Sequence, residues 1–372
     1  MKRRIISIFF LLCLLFSTVG CLSSDLLDDM LDTDRQDTDE TDSFTGTDSF
    51  TSDFAIHFID VGQADAALVI CAGKTMLIDG GNVEDSDRIY AYLKKQSVAH
   101  LDYVVCTHAH EDHVGGLSGA LTAATAGKVL APVTDYDTKA FRNFVSKAAD
   151  RGCAVSVPQA GESFSLGDAR VTVLGPVKEY DDTNNTSIVL RIVYGNTSFL
   201  FTGDMESDAE RDLIDSGAVL QSTLLKVGHH GSETSTSYRF LREVAPTYGV
   251  ISVGTDNSYG HPHDVVMSRL RDADVTLYRT DLQGDIICRS NGTTLSFTTQ
   301  KNSGIDVNPT ESDRTESDSS SATEYRYVGN VNSKKFHTLD CKNLPDETNR
   351  IWFTTREEAV TAGYSPCGNC DP

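Results

Sequence analysis

The chain has 372 residues, 39 % of them hydrophobic and 23 % charged. That is enough for about two or three domains and enough apolar material to exclude disorder as a description of the whole. With 32 Lys and Arg against 54 Asp and Glu the formal net charge is −22, which argues against a protein that coats nucleic acid with its whole surface.

The N-terminus reads as an address. Met1-Lys2-Arg3-Arg4 is basic, and Ile5 to Gly20 is uncharged and apolar over 16 residues. This is short of the roughly 20 residues that span a bilayer and suits the apolar region of a signal peptide. Thr18-Val19-Gly20-Cys21 places small residues before a cysteine and resembles the lipobox of prokaryotic lipoproteins. The resemblance implies lipidation at Cys21 and a membrane-anchored protein on the outer face of the cytoplasmic membrane. A plain signal peptide with secretion and an uncleaved anchor are the alternatives, and all three put the rest of the chain outside the cytoplasm. No later segment is apolar for long enough to cross a membrane, so no transmembrane channel of its own is expected.

Residues 22–53 are rich in Asp, Thr and Ser, and 23–53 carries eleven acids against Arg35. Like charges repel and little apolar surface is available, so an extended, disordered tether is expected. Ordered sequence starts at Phe54. Short apolar runs at Ala55–Ile59, Ala67–Cys71, Met76–Ile78 and Tyr103–Cys106 predict strands, and Asp87–Gln96 has Ile89, Tyr92 and Leu93 at helical spacing. Further strands are expected at Ala169–Leu174, Ser187–Val193, Thr197–Phe201, Leu224–Val227, Gly249–Val253, Asp285–Cys288 and Thr294–Phe297. Helices are expected at Thr138–Asp150, Ser207–Ser216 and Val265–Asp272. The alternation predicts an α/β or α+β domain over 54–299 with a layered sheet. Residues 300–324 turn polar and read as a linker, and 325–372 is a final block small enough to need a staple.

The strongest signal is Cys106-Thr107-His108-Ala109-His110-Glu111-Asp112-His113-Val114-Gly115-Gly116. It follows a strand and enters a helix. His108 and His110, two apart in an extended loop, project to one side and can share a cation. Asp112 and His113 can serve a second cation close by. Imidazole and carboxylate suit zinc, and also manganese or iron.

This run resembles the HxHxDH motif of the metallo-β-lactamase superfamily. Four further stretches agree with its competence-protein (ComEC-type) branch of DNA-uptake proteins: Phe58–Ala66 with Leu77–Gly81, Phe199–Asp204, Leu225–Ser232 and Tyr259–His263. The resemblance implies a four-layer αββα sandwich with a two-metal site on one edge, holding two Zn²⁺ or Mn²⁺. The metal ligands it implies are His108, His110, Asp112, His113, Asp204 as the bridge, and one of the adjacent His229 and His230. Side chains alternate along a regular strand, so His230 is taken as the ligand and His229 as a substrate contact or acid, with both kept. Asp112, His229 and His261 are the catalytic candidates. Asn185, Ser187 and His263 are the substrate-binding candidates; Asn185 and Ser187 either orient a phosphate or start the strand. Many relatives have another histidine before the bridging aspartate, whereas this chain has none from Val114 to Gly228. Asp60 and Asp79 are expected behind the ligands or in loops, and Lys226 in any local basic groove. His57 and His100 read as ordinary strand and surface residues, and Cys71, Cys106, Cys153 and Cys288 as buried thiols.

In the last block His337, Cys341, Cys367 and Cys370 offer a closed tetrahedral donor set for one structural Zn²⁺; disulfide pairing is the alternative outside the cytoplasm. The block resembles the small zinc-binding domain of Ada-type DNA-repair proteins, with His337 at the place of the methyl-accepting cysteine, so methyl transfer is not implied. The whole predicts an α/β metallo-β-lactamase sandwich followed by a small zinc-stapled α+β domain. The expected activity is binuclear hydrolysis of a phosphodiester polymer, foremost DNA. The alternatives are a phosphorylcholine esterase-like enzyme acting on cell-surface polymers and a non-catalytic surface binding protein.

Overall fold

The computed structural model describes residues 53–308, 326–339, 341–346, 349–370 and 372. The signal segment, Cys21, the tether up to residue 52 and most of the expected linker lie outside the described residues. No described helix is long and apolar enough to cross a membrane.

Two sheets stack face to face. The first has eight strands in the order Leu295–Thr299, Ile286–Ser290, Phe54–Phe58, Ala67–Cys71, Lys74–Ile78, His100–Val105, Thr125–Leu130, Val155–Ser156. The second has seven, in the order Thr276–Arg279, Tyr248–Ile251, Leu224–Lys226, Thr197–Phe201, Val189–Tyr194, Ala169–Gly175, Ser163–Leu166. The period-2 pattern decides which residues meet between them. Phe54, Ile56 and Phe58 point inward and join Val171, Val173, Phe199 and Phe201 of the second sheet in one core. His57, between them, points the other way and meets the Tyr92 hydroxyl at 2.9 Å under a helix.

Helices cover both outer faces. Ser86–Lys95, Leu117–Ala123 and Lys139–Asp150 pack Ile89, Leu93, Leu117, Leu121, Phe141 and Phe144 on the first sheet. Ser207–Asp215, Tyr238–Val244 and Asp264–Asp272 pack Leu213, Phe240, Leu241, Val266 and Leu270 on the second. The fold is therefore the αββα sandwich expected. The chain after Thr299 does not leave the domain at once, contrary to the expected linker start: Val307 is buried in the second helical layer. The Asn308 amide accepts from Arg271 at 2.7 Å and donates to the Met267 carbonyl at 3.1 Å.

The last block forms a four-stranded sheet in the order Arg350–Phe353, Tyr327–Asn330, Lys335–Thr338, Ser365–Pro366, with a helix at Arg356–Thr361. Its core of Tyr327, Phe336, Phe353, Ala359 and Tyr364 is completed by Tyr238 of the sandwich domain. The Tyr238 hydroxyl donates to Asp272 and lies 2.9 Å from the Tyr327 hydroxyl. The Arg356 guanidinium sits 5.1 Å over the Tyr238 ring and 5.9 Å from that of Phe336. The small domain is thus docked on the helical face of the second sheet.

Removing the shared ring tests that docking. Tyr238→Ala takes away the packing and the cation–π partner together, at a cost of about 2 kcal/mol. Amide hydrogen exchange is expected to speed up in 326–372 and little in the strands of the first sheet. Unchanged protection in the small domain would contradict a stabilising contact.

Candidate metal centre

The site sits at one edge of the sandwich, where several strands of both sheets end. Asp79 follows the strand Lys74–Ile78, and Thr107 to His110 follow His100–Val105. Asp204 follows Thr197–Phe201, and His229 and His230 follow Leu224–Lys226. Backbone bonds lace these strand ends together: Gly80 N–H donates to the His113 carbonyl at 2.8 Å, Asp65 N–H to Asp112 at 3.1 Å and Ile188 N–H to Thr107 at 2.8 Å. Gly116 and Gly80 cross so closely that a Cβ on Gly116 would lie 1.9 Å from the Gly80 carbonyl oxygen. Only glycine permits the two motifs to approach like this.

Four ligand atoms of Asp112, His113, Asp204 and His230 lie within 4.8 Å of one another. His113 Nε2 is 3.2 Å from Asp204 Oδ1 and 3.8 Å from Asp112 Oδ2. His230 Nε2 is 3.3 Å from Asp112 Oδ2 and 3.6 Å from Asp204 Oδ2. Beside them His108 Nε2 is 3.1 Å from His110 Nδ1 and 3.9 Å from Asp204 Oδ2. Asp204 is common to both groups: Oδ1 faces His113, and Oδ2 faces both His230 and His108.

The hydrogen-bond network dictates which nitrogens are lone pairs. His230 Nδ1 donates to the Ser252 carbonyl at 3.0 Å, and His113 Nδ1 to Asp79 Oδ2 at 2.9 Å. Thr107 spends its hydroxyl proton on Asp79 at 2.7 Å, so it accepts from His108 Nδ1 at 3.3 Å. Of the three Nε2 atoms left over, those of His113 and His230 face carboxylate oxygens, acceptor against acceptor, while that of His108 lies 3.1 Å from His110 Nδ1. Accordingly His113 Nε2 and Asp204 Oδ1 are buried with no hydrogen-bond partner among the described residues. Only protons or cations relieve such a cluster. Burial lowers the basicity of His230, but the carboxylates of Asp204 and Asp65 outweigh it and push it up to about 10. His113 rises for the same reason, with Asp204, Asp112 and Asp79 opposing burial. The donor set fits divalent cations with nitrogen and oxygen ligands.

His229 and His230 are not on a strand. Both adopt left-handed backbone, φ 49° and 53°, in a turn between Gly228 and Gly231. Side-chain alternation therefore does not apply, and both imidazoles reach the site. His230 is buried, while His229 lines the cleft with Nε2 at 3.6 Å from Asp204 Oδ2. Its Nδ1 faces the Thr234 hydroxyl at 3.2 Å and Glu206 at 3.5 Å. The turn is tied down by His229 N–H donating to the Gly203 carbonyl at 3.2 Å and His263 N–H to the Gly231 carbonyl at 2.9 Å, and the segment 233–237 that follows is braced from behind. Buried Glu210 accepts from the Thr236 and Ser237 N–H groups, and Arg269 donates to the carbonyls of Glu233, Ser235 and Thr236.

Several expected contacts turn out differently. Lys226 cannot serve a basic groove: it is 3 % exposed and its ammonium is 2.8 Å from Asp65, which lies 3.4 Å from His230 Nδ1. Asn185 and Ser187 are buried and face inward, accepting from the N–H groups of Glu206 at 3.0 Å and Asp204 at 3.1 Å. They position the loop that carries Asp204, and Asn184 is the member of that run that lines the cleft. His263 is also committed, accepting from Glu233 N–H at 2.9 Å and donating to the Tyr259 carbonyl at 3.2 Å. Asp79 supports His113 and Thr107 from behind, and Asp60 shapes its loop by accepting from Gly62 N–H at 3.3 Å. Cys71, Cys106 and Cys288 are buried thiols, whereas Cys153 is only partly covered.

His261 lines the catalytic cleft, a cavity of about 610 Å³, together with Gln63, His110, Asp112 and His229. Gly254 N–H donates to Gln63 Oε1 at 3.1 Å, which leaves Gln63 Nε2 to donate to His261 Nδ1 at 3.3 Å. His261 therefore keeps its proton on Nε2. Burial, then the imidazoles of His263, His230 and His229, hold it down to about 4, so it is a neutral donor at pH 7. Asp65, Gln63 and Glu206 are functional positions that residue type and spacing did not single out; their roles exist only through partners distant in sequence.

In the small domain the ligand atoms of His337, Cys341, Cys367 and Cys370 also lie within 4.8 Å of one another, and the three cysteines are free of disulfides. Three thiols and one imidazole form a closed set suited to structural zinc.

Two measurements test these assignments. Lys226→Met leaves Asp65 as an uncompensated buried charge and is expected to cost about 3–5 kcal/mol in a denaturant titration. A loss below about 1 kcal/mol would show that the pair is solvated. Asp79→Ala frees the His113 ring and is expected to weaken metal binding in the catalytic domain roughly 10–100-fold, read by competition with a chromogenic chelator. Cys367→Ser should instead remove one metal from the small domain and leave the catalytic complement in place.

Residues 59–255 match the family described as the Metallo-beta-lactamase superfamily, and residues 313–372 match the Metal binding domain of Ada. ComE operon protein 3 of Bacillus subtilis (strain 168) is 27% identical over 255 residues, covering 63% of this chain and 33% of that protein. Competence protein ComA of Neisseria gonorrhoeae is 35% identical over 234 residues, covering 62% and 31%. Recombination protein 2 of Haemophilus influenzae is 29% identical over 235 residues, covering 61% and 28%. The chain spans about a third of the length of these curated relatives.

Proposed function

The chain belongs to the metallo-β-lactamase superfamily, and from that premise we propose that it is a two-metal phosphodiesterase that cuts nucleic-acid strands outside the cytoplasm. The observation that carries the reading is the pair of acceptor clusters sharing Asp204, with a neutral donor, His261 Nε2–H, in the same cleft. The relatives support the substrate class: two of those named above are competence proteins by name or operon and the third is a recombination protein. The signal-peptide-like N-terminus and the lipobox-like run ending at Cys21 support a place at the outer face of the membrane, with the acidic segment as a spacer.

His108, His110 and Asp204 would hold one cation, and Asp112, His113, Asp204 and His230 the other. When bound, two divalent cations supply charge stabilisation at phosphorus and make a water-derived nucleophile accessible near neutral pH. The protein's own groups do the rest. Asp79 and the Ser252 carbonyl fix the rings of His113 and His230, so that their Nε2 lone pairs need no reorientation when substrate arrives. His261 Nε2–H donates to a non-bridging phosphoryl oxygen as negative charge grows there. His229, with its Nδ1 proton directed at Thr234 and Glu206, presents the Nε2 lone pair to the same cleft and can take up the proton lost by the attacking water and return it to the departing oxygen. The Cys/His domain contributes a zinc-stapled body docked on the second sheet.

The test uses the purified protein after chelation, with Mn²⁺ or Zn²⁺ titrated back, on plasmid, single-stranded DNA and bis-p-nitrophenyl phosphate. Metal-dependent cleavage is expected, with Asp204→Ala and His110→Ala reduced at least about 100-fold and surface His100→Ala like the parent. An inert parent under every metal, or cleavage of phosphorylcholine esters in place of nucleic acid, rejects the proposal.

A further inference from the structure

We propose that Tyr259 is a base-stacking platform at the mouth of the catalytic cleft, and that the preferred substrate is a single-stranded polynucleotide with an unpaired base next to the scissile phosphate. The inference rests on the phosphodiesterase reading and narrows its substrate class.

Tyr259 is 67% exposed, yet it lines the same cleft as His110, Asp204 and His229. One face of its ring lies against His261, with centroids 5.6 Å apart and planes 25° apart. His261 lies over His230 in the same sense, at 6.5 Å and 24°. Three near-parallel rings therefore descend from solvent to the metal ligands, and the exposure of the topmost leaves its outer side open.

The platform is pre-set. Asn257 Oδ1 accepts from the N–H groups of Tyr259 at 3.2 Å and His261 at 3.0 Å. Asn257 Nδ2 donates to the carbonyls of Gly254 at 3.0 Å and His261 at 2.7 Å. His263 holds the Tyr259 carbonyl, and Gly260 makes the turn at φ +73°. Backbone on both sides of the ring is thus fixed before anything binds, which lowers the ordering cost of a contact.

An uncharged ring face attracts a flat π-system and gives nothing to a phosphate. With one phosphate engaged at the bottom of the cleft, the flat group that follows along a polynucleotide is a base. In a duplex each base face is already covered by its neighbours, so the platform selects unpaired strand. The charge balance agrees. The segment 54–299 is about −11, and Lys226 is buried, so an extended track of Lys and Arg on phosphates is not the source of affinity.

The full chain loaded with Mn²⁺ is compared on four substrates: a 20-nucleotide single strand, the same strand with abasic sites throughout, its duplex, and bis-p-nitrophenyl phosphate. The parent should cleave the base-bearing strand with a kcat/KM about 5- to 100-fold above the abasic one, and the duplex more slowly. Tyr259→Ala should bring the base-bearing to abasic ratio close to one, and Tyr259→Phe should retain it. Because the ratio is taken within each variant, partial loss of metal or of folded protein cancels. A ratio in Tyr259→Ala equal to the parent's, or a parent that cleaves abasic and base-bearing strands alike, overturns the platform while leaving the phosphodiesterase reading standing. A parent inert on all four substrates overturns both.

Discussion

The atoms that converge at the edge of this sandwich are almost all acceptors. The Nε2 lone pairs of His113 and His230 and the carboxylates of Asp112 and Asp204 face one another, with His108 and His110 beside them. Water alone cannot neutralise carboxylates that are this buried, so the arrangement persists only with positive charge at its centre. The outer layer follows from that constraint. Asp79 and Ser252 fix two rings, Thr107 a third, and Asp65 is placed behind His230 with its own internal counter-ion, Lys226. The polarity of the centre therefore propagates two residues deep into an otherwise apolar interior.

The second metal cluster obeys a different rule. His337, Cys341, Cys367 and Cys370 form a complete tetrahedral set with no place for a substrate. The role of a cation there is to hold together a core of only a handful of apolar side chains, which a block of this size cannot do alone. The catalytic domain shares the task, because Tyr238 closes that core and Arg356 stacks on it. The small domain therefore packs on the helical face of the sandwich through Tyr238 and Arg356.

The sequence made legible what is local. Six residues contain four of the catalytic ligand types, so the centre stands out, and apolar runs such as Ala67–Cys71 and Thr197–Phe201 coincide with observed strands. Strand Thr125–Leu130 escapes such a reading because Thr125-Ala126-Gly127-Lys128 has no apolar run; its placement comes from pairing with His100–Val105. The His229-His230 pair is ambiguous in sequence because its resolution depends on two left-handed residues, in a turn tied to Gly203 and His263, which are distant in sequence. Asn185, Ser187, His263 and Lys226 have the chemistry of substrate contacts and the positions of structural ones. Whether a hydroxyl or an ammonium points into a cleft or away from it is set by partners tens to hundreds of residues distant.

The acidic composition and a nucleic-acid substrate are compatible once binding is divided by group. Net charge governs long-range attraction and the number of phosphates a surface can neutralise. It says little about a cleft that engages one phosphate at a time through cations it has itself recruited. The carboxylates that make the domain acidic include those placed to concentrate cations, so under the proposed function the charge that would repel a strand at a distance would also create the local field that holds its phosphate. Discrimination then has to come from the uncharged parts of the polymer, and the groups in the cleft suited to that are the neutral His261 donor and the ring of Tyr259 above it. An enzyme of the proposed kind would meet phosphodiester polymers of several types on like electrostatic terms, and would separate them by whether a flat base lies beside the phosphate it grips.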